Sequence, residues 1–335
     1  YEYSFSVSRK EVPEEKLVRI TSSSETVIFE RRDGKIVFDQ SGGDKFLEFV
    51  FRGTRSNQLF LTNSVSQNVD DFRQVYDWFK NNLFLITPES TYNAIEKLIN
   101  KDSPIYAYMN ELLPQLDTGV VKIGGVKFPF ESIPFPNEIK NNIQENVRKN
   151  LSVTLYDPET REQIIINKHN GELMANKLVT SHLTSDGNDV EFEIRHESDG
   201  TQRIIDVLPA FLDLQRLNSN HVYIIDEIDR SLHTLLTRNL LEFYLANRSP
   251  ESRSQLLFTT HDVLLMDQHL LRRDEMWVTE RDNSGATDLI SFNEYKDIRF
   301  DKDIRKSYLQ GRLGGIPRIL SGSVLSNQLA NKPGN

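Results

Sequence analysis

Between His196 and Thr259 the spacing of apolar residues switches repeatedly, and this rhythm restricts the fold more than any other feature of the chain. A helix-spaced set (Ile204, Leu208, Phe211) gives way to the unbroken run Val222-Tyr223-Ile224-Ile225. A second helix-spaced set follows (Leu232, Leu235, Leu236, Leu240, Phe243), then the run Leu256-Leu257-Phe258-Thr259. Helix, strand, helix, strand predicts an α/β fold with a parallel sheet whose strands are buried. Pro209 lies inside the first helix and is expected to kink it.

Upstream the pattern differs. Residues 1–62 read as β, with period-two runs at Thr26-Val27-Ile28-Phe29-Glu30 and Phe46-Leu47-Glu48-Phe49-Val50-Phe51 and a hairpin turn at Asp33-Gly34. Near residue 68 the period becomes helical. Phe72, Val75, Tyr76 and Phe79 share one face, Ile95, Leu98 and Ile99 follow Pro88, and a third helical stretch runs from Ile105 to Leu116. Residues 118–135 read as short strands or loop, Asn137 to Lys149 as a charged helix, and 151–195 as strands. The expected organisation is a β part over 1–64, a compact helical lobe over 65–150, an α/β part over 151–320 and a loose tail over 321–335.

Length and composition remove several classes of protein. The 335 residues allow one large domain or two ordinary ones. With no cysteine, disulfide scaffolds, thiolate zinc sites and Cys nucleophiles are excluded, and a reducing cytoplasm fits. No apolar run approaches the roughly 18 residues of a membrane helix and no signal peptide opens the chain, so no membrane partner is expected. The chain opens at Tyr1, not Met, directly in an alternating run, which reads as an edited start. A net charge of -9 argues against coating nucleic acid by charge, and Lys140, Arg148 and Lys149 are too sparse beside Glu138 and Glu145 to change that.

Three segments carry chemistry. The apolar run ending in Asp226-Glu227 places two carboxylates at the C-terminal end of a strand, where open α/β sheets bind ligands. One such carboxylate holds Mg²⁺ in phosphoryl-transfer sites, and its neighbour can orient or deprotonate a water. An acidic turn closing a buried strand is the plainer alternative. Ser198-Asp199-Gly200 opens a helix, with Ser198 or Asp199 as N-cap and Gly200 admitting another backbone; the free N–H groups there favour a phosphate. Taken alone, an ordinary cap is the better account of this segment. His261 follows the strand Leu256–Thr259 and can reach a terminal phosphate or a reacting water, unless it merely caps the following turn with Asp262.

In this order the segments, with Asp226-Glu227-Ile228-Asp229-Arg230-Ser231-Leu232-His233, resemble the second half of an ABC-type ATPase: signature motif, Walker B, D-loop and switch histidine. The run is similar to the soluble branch (SMC, RecF and OLD-type ATPases). The wider chain resembles the ATPases of prokaryotic abortive-infection and antiphage systems, through Leu271-Arg272-Arg273-Asp274-Glu275-Met276-Trp277 and Tyr308-Leu309-Gln310-Gly311-Arg312-Leu313-Gly314-Gly315-Ile316-Pro317. The last motif has no physical role evident from the sequence, and Arg312 reads as a surface loop residue before a charged finger.

The resemblance implies an ABC-ATPase head with a mixed or parallel sheet, made by residues 1–64 and 151–320, that dimerises head to tail around ATP and Mg²⁺. It implies that Asp226 holds the metal, that Glu227 activates water and His261 senses the γ-phosphate, and that Ser198, Asp199, Gly200, Asp229 and Ser231 bind nucleotide with Asp226. His233 stands where the D-loop usually has Asp. The implied partners are a second copy or higher oligomer, a neighbouring effector of nuclease type, and a DNA or phage-protein trigger. The chain itself carries no nuclease motif.

It also lacks a Gly-x-x-x-x-Gly-Lys-Ser/Thr loop: Ser41-Gly42-Gly43-Asp44, Gly124-Gly125 and Gly314-Gly315 have neither the lysine nor the spacing. A Q-loop cannot be assigned either. A phosphate-loop segment upstream of Tyr1 is expected, with a naturally truncated, non-hydrolysing structural regulator as the alternative. A RecF- or SMC-like DNA repair ATPase is the other competing reading.

Overall fold

The dipeptide Asp33-Gly34 reverses the chain with both residues at positive φ, 48° and 75°, as a tight two-residue hairpin requires. In the computed structural model, which describes residues 1–39, 45–150, 152–157, 159, 162–169, 171–295 and 304–316, this turn joins the last two strands of an antiparallel sheet. Its order is β1 (Glu2–Ser6), β2 (Glu14–Ile20), β3 (Glu25–Arg32) and β4 (Lys35–Phe38). The segment expected as a second period-two strand is instead helix α1 (Lys45–Arg52). Val50 is buried and Leu47 and Phe51 pack on the same core, whereas Phe49 is 70% exposed. The inward set 47, 50 and 51 has helix spacing, which a short and almost wholly apolar run conceals.

Helices α2 (Phe60–Ser66) and α3 (Arg73–Asn82) complete this first part. Phe60 is fully buried and meets Phe29, Phe51 and Phe72 edge-on at centroid distances of 5.1, 5.9 and 5.8 Å, the preferred aromatic arrangement. By internal contacts this part, residues Tyr1–Leu85 with Asn220–Ile224 and Arg253–Leu256, is one unit; Ile86–Ser219, Ile225–Ser252 and Leu257 onward form another.

Strand β5 (Leu83–Ile86) follows, and the helical stretch after Pro88 shrinks to a single turn, α4 (Glu96–Ile99). Ser103-Pro104 ends it by starting α5 (Pro104–Leu112), with proline at the first helical position. The segment 118–135 contains an eight-residue strand, β6 (Lys122–Pro129), so residues 65–150 hold two strands besides helices. Helix α6 (Asn137–Asn150) and strands β7 (Ser152–Tyr156), β8 (Gln163–His169), β9 (Glu172–Leu183) and β10 (Asp189–Glu193) come next. The long β9 pairs antiparallel with β6, β8 and β10. Ile143 and Val147 of α6 pack with Phe130, Ile166 and Ala175.

Helix α7 (Asp199–Leu214) runs through Pro209 to Leu214. Its missing N–H costs about 3 kcal/mol, but Val207, Leu208, Phe211 and Leu214 are buried, each worth about 1.5–3 kcal/mol. Strands β11 (Val222–Ile225) and β12 (Gln255–Phe258), separated by α8 (Thr234–Ala246), form with β5 a three-stranded sheet in the order β12-β11-β5. The Gln255 and Thr259 amides donate to the His221 and Ile225 carbonyls, a register that advances together and makes β11 and β12 parallel. Val222 and Ile225 are buried, as a central strand requires. β12 is less covered than expected for a buried strand, because it lies at the sheet edge and Leu257 is half-exposed.

The two motifs near the C-terminal end form one small core. Met276 and Val278, at the start of the hairpin β13 (Trp277–Arg281) and β14 (Thr287–Ser291), pack with Phe292, Ile304 of α9 (Ile304–Leu309) and Leu313. Arg273 is buried and donates to the Phe292 and Tyr295 carbonyls. Gly315, at φ 68°, lies so close to Val278 that a Cβ would sit 2.1 Å from its methyl group. The glycine pair is therefore a packing device, and Arg312 is exposed beside it. Pro317, the tail after residue 320 and Ser41–Asp44 lie outside the described residues.

Candidate functional site

Strand β11 ends in a turn whose backbone is held in an unusual shape. Glu227 has φ 47° and Ser231 φ 59°, the left-handed region that non-glycine residues seldom occupy and that costs about 1 kcal/mol or more. Two side chains from neighbouring elements hold it there. Thr259, just past β12, accepts the Glu227 amide at 2.9 Å and donates its hydroxyl to Asp226 Oδ1 at 2.6 Å. Buried Arg203 of α7 donates to the carbonyls of Thr87, Asp226 and Glu227 at 2.9, 3.0 and 3.3 Å. The Asp226 amide donates to the Ile86 carbonyl of β5. The backbone of Asp226 and Glu227 is thus held at the C-terminal edge of the sheet from both sides.

The Glu227 carboxylate has two basic neighbours. Arg230 Nη1 lies 3.4 Å from Oε2 and 3.6 Å from Glu89. His261 Nε2 lies 3.6 Å from Glu227 Oε1, an ion-pair distance when the ring is protonated, and its side chain is 83% exposed. The turn after His261 is capped by Asp262, which accepts the Leu264 amide at 2.9 Å, so the histidine is left facing the glutamate.

The segment Ser198-Asp199-Gly200 adjoins the turn after Glu227 through Gly200 and Ser231. Ser198 is the N-cap of α7 and accepts the Thr201 amide at 3.1 Å; Ser198 and Asp199 are exposed. Its preceding Glu197 carboxylate takes bonds from buried Thr180 and from His182, the latter at 2.7 Å, which ties the turn to β9. A Cβ on Gly200 would lie 2.8 Å from the Ser231 carbonyl oxygen. The close approach that Gly200 permits is therefore made within this chain, to the turn after Asp226-Glu227. His233 has a local task as well: its Nδ1 caps α8 by accepting the Leu235 amide at 3.2 Å. One carboxylate oxygen of half-buried Asp229 has no hydrogen-bond partner.

The structure thus brings Asp226, Glu227 and His261 to one edge and sets Gly200, which follows exposed Ser198 and Asp199, against Ser231. Sequence reasoning missed Arg203, Thr259 and Glu197, whose signals were weak: an arginine inside an apolar helix face and a threonine closing a strand.

Among the described residues no three His, Cys, Asp or Glu side chains converge as a metal cage. Mg²⁺ that arrives with a nucleotide needs only one or two carboxylates beside phosphates and water. The Asp226 carboxylate, with one oxygen engaged by Thr259, suits that kind of ion.

A family model described as an AAA domain, putative AbiEii toxin, Type IV TA system matches residues 1–267. No curated protein matches the chain.

Proposed function

Because the chain belongs to the AAA-domain family of AbiEii-type proteins of type IV toxin–antitoxin systems, we propose that it is the ATP-binding and hydrolysing switch subunit of an abortive-infection or toxin–antitoxin-like complex. In this reading two copies pair head to tail when ATP is bound, and the pairing holds or releases a nuclease-type effector in the cytoplasm. Among the described residues no helix is long and apolar enough to cross a membrane.

The observation that carries the reading is the end of β11. A glutamate kept at φ 47°, next to an aspartate and facing a histidine and an arginine, is a strained arrangement of the kind that clusters at functional sites. Asp226 is the residue to hold Mg²⁺, which supplies charge neutralisation at the phosphates when bound. Glu227 would accept a proton from water, with its carboxylate between Arg230 and His261. His261 is positioned to register the anion beside Glu227. Ser198 and Asp199, exposed at the start of α7, offer a helix N-terminus to an anion on a second copy. The phosphate-cradling glycine–lysine loop is not among these 335 residues, so they supply the hydrolytic and signature parts of a nucleotide site.

Substituting Glu227→Gln tests the assignment in the intact protein. The amide keeps shape and hydrogen bonding but cannot take the proton, so ATP binding should persist while steady-state hydrolysis falls at least 100-fold. Turnover near that of the parent sinks the role of Glu227. Failure of the parent to bind ATP at all instead favours a non-hydrolysing regulator.

A further inference from the structure

A groove of about 840 Å³ runs over the lobe beside β6, bounded by α4, α5 and the sheet strands β8, β9 and β10. It belongs to neither the Asp226-Glu227 edge nor the signature turn. Lys97, Lys101, Lys122 and Lys127 line it, all exposed. Among the described residues none of the four has an acidic partner within ion-pair distance. The lysines Lys140 and Lys177 of the same unit, by contrast, are paired with Glu131 and with Glu162 and Glu193. Only Glu96 and Glu191 add negative charge to the lining. A concentration of unpaired ammonium groups on a chain of net charge -9 marks a place where a polyanion can displace counterions.

The floor adds a second, independent sign. Asn176 is only 6% exposed, lines the groove and has a buried side-chain oxygen with no hydrogen-bond partner. A buried amide left unpaired costs free energy unless a ligand completes it. Gly124, on β6, faces open space, with nothing within 4 Å of where a Cβ would be. Tyr106 on the groove wall offers a ring for stacking.

We propose that this groove binds a short stretch of single-stranded nucleic acid, its phosphates along the four lysines and its bases over the amide floor. An acidic protein segment would meet the lysines equally well. Bases, however, bring donors and acceptors together to the Asn176 amide and a ring face to Tyr106, which carboxylates do not. The groove is also larger than one nucleotide fills and lies within the 300–1,000 Å³ of ligand sites. The proposal does not depend on ATP hydrolysis, so it stands or falls apart from the reading of Asp226-Glu227.

The test is fluorescence anisotropy of a labelled 12-nucleotide single strand with the full chain, titrated over a salt series without nucleotide. The parent should bind with log K falling against log salt at a slope of about -3, from about 0.7 per neutralised phosphate. Replacing Lys97, Lys122 and Lys127 by Gln should weaken binding at least 30-fold and flatten the slope to about -1. Gly124→Leu, which fills the groove without touching charge or a packed neighbour, should weaken binding at least tenfold while circular dichroism stays unchanged. Binding that survives both variants overturns the proposal. So does competition by poly-glutamate as effective as by unlabelled oligonucleotide, which would reassign the groove to an acidic protein segment.

Discussion

At the scale of single residues, the turn that presents Asp226 and Glu227 depends on side chains with no catalytic chemistry of their own. Thr259 is donor to one carboxylate and acceptor from the amide of the next residue. Thr259→Val keeps the shape and removes both bonds. Hydrogen bonds to charged groups are worth about 1.5–3 kcal/mol, and each 1.4 kcal/mol is tenfold in rate. We therefore expect kcat of the intact ATPase to fall about 10- to 100-fold with KM for ATP little changed. A rise in KM at constant kcat would show that Thr259 serves binding, not the placement of the glutamate. Gly200 teaches the same lesson from the opposite direction. Because a Cβ there meets the Ser231 carbonyl at 2.8 Å, a bulky residue at this position disturbs its own chain first, and it cannot report cleanly on contact with a second copy.

At the scale of elements, the parts that were legible in the sequence are those whose pattern is local. The order α7, β11, α8, β12 follows from apolar spacing alone, and the Asp33-Gly34 hairpin from the preference of two residues for positive φ. Helix α1 was not legible, because five apolar residues in six fit either period until the core decides which of them turns inward. Helix α2 was hidden for another reason. Leu59 at its N-cap offers no side-chain bond. The cap comes from buried Glu15 on β2, whose carboxylate accepts the Phe60 and Leu61 amides at 2.6 and 2.9 Å and the Tyr3 hydroxyl at 2.8 Å. No window of sequence contains that contact. Glu15→Gln should cost about 3 kcal/mol or more, since it leaves a buried amide N–H unpaired and buried Arg31 without its counter-charge, read as a lower urea midpoint. Burial and the Glu15 carboxylate hold the Tyr3 hydroxyl protonated far above its ordinary range. A raised folded-state pKa means that its contribution is complete below the unfolded value near 10 and declines as pH rises beyond it. The urea midpoint should therefore drop between about pH 10 and 11, and Tyr3→Phe should flatten the drop.

At the scale of the whole molecule, the proposed head-to-tail pairing makes the Ser198-Asp199-Gly200 segment the surface by which one copy would meet another. Asp199, exposed in the first turn of α7, is a better probe of that contact than Gly200, since among the described residues no hydrogen bond or ion pair holds its side chain. Asp199→Arg reverses a favourable charge at the start of a helix and should cost about 1–2 kcal/mol of stability, yet leave the chain folded and abolish the larger species formed with a slowly hydrolysed ATP analogue in sizing chromatography. An unchanged elution profile would place the contact elsewhere. The left-handed backbone at Glu227 reaches further still, into how such a protein can change over generations. Asparagine occupies positive φ more readily than glutamate, so Glu227→Asn should raise the thermal midpoint while hydrolysis disappears. Selection for thermal robustness alone would then erode the active turn. On the proposed role of Glu227, a sequence that keeps glutamate there accepts a less stable chain in return for hydrolysis, a stability–activity trade-off located at one residue.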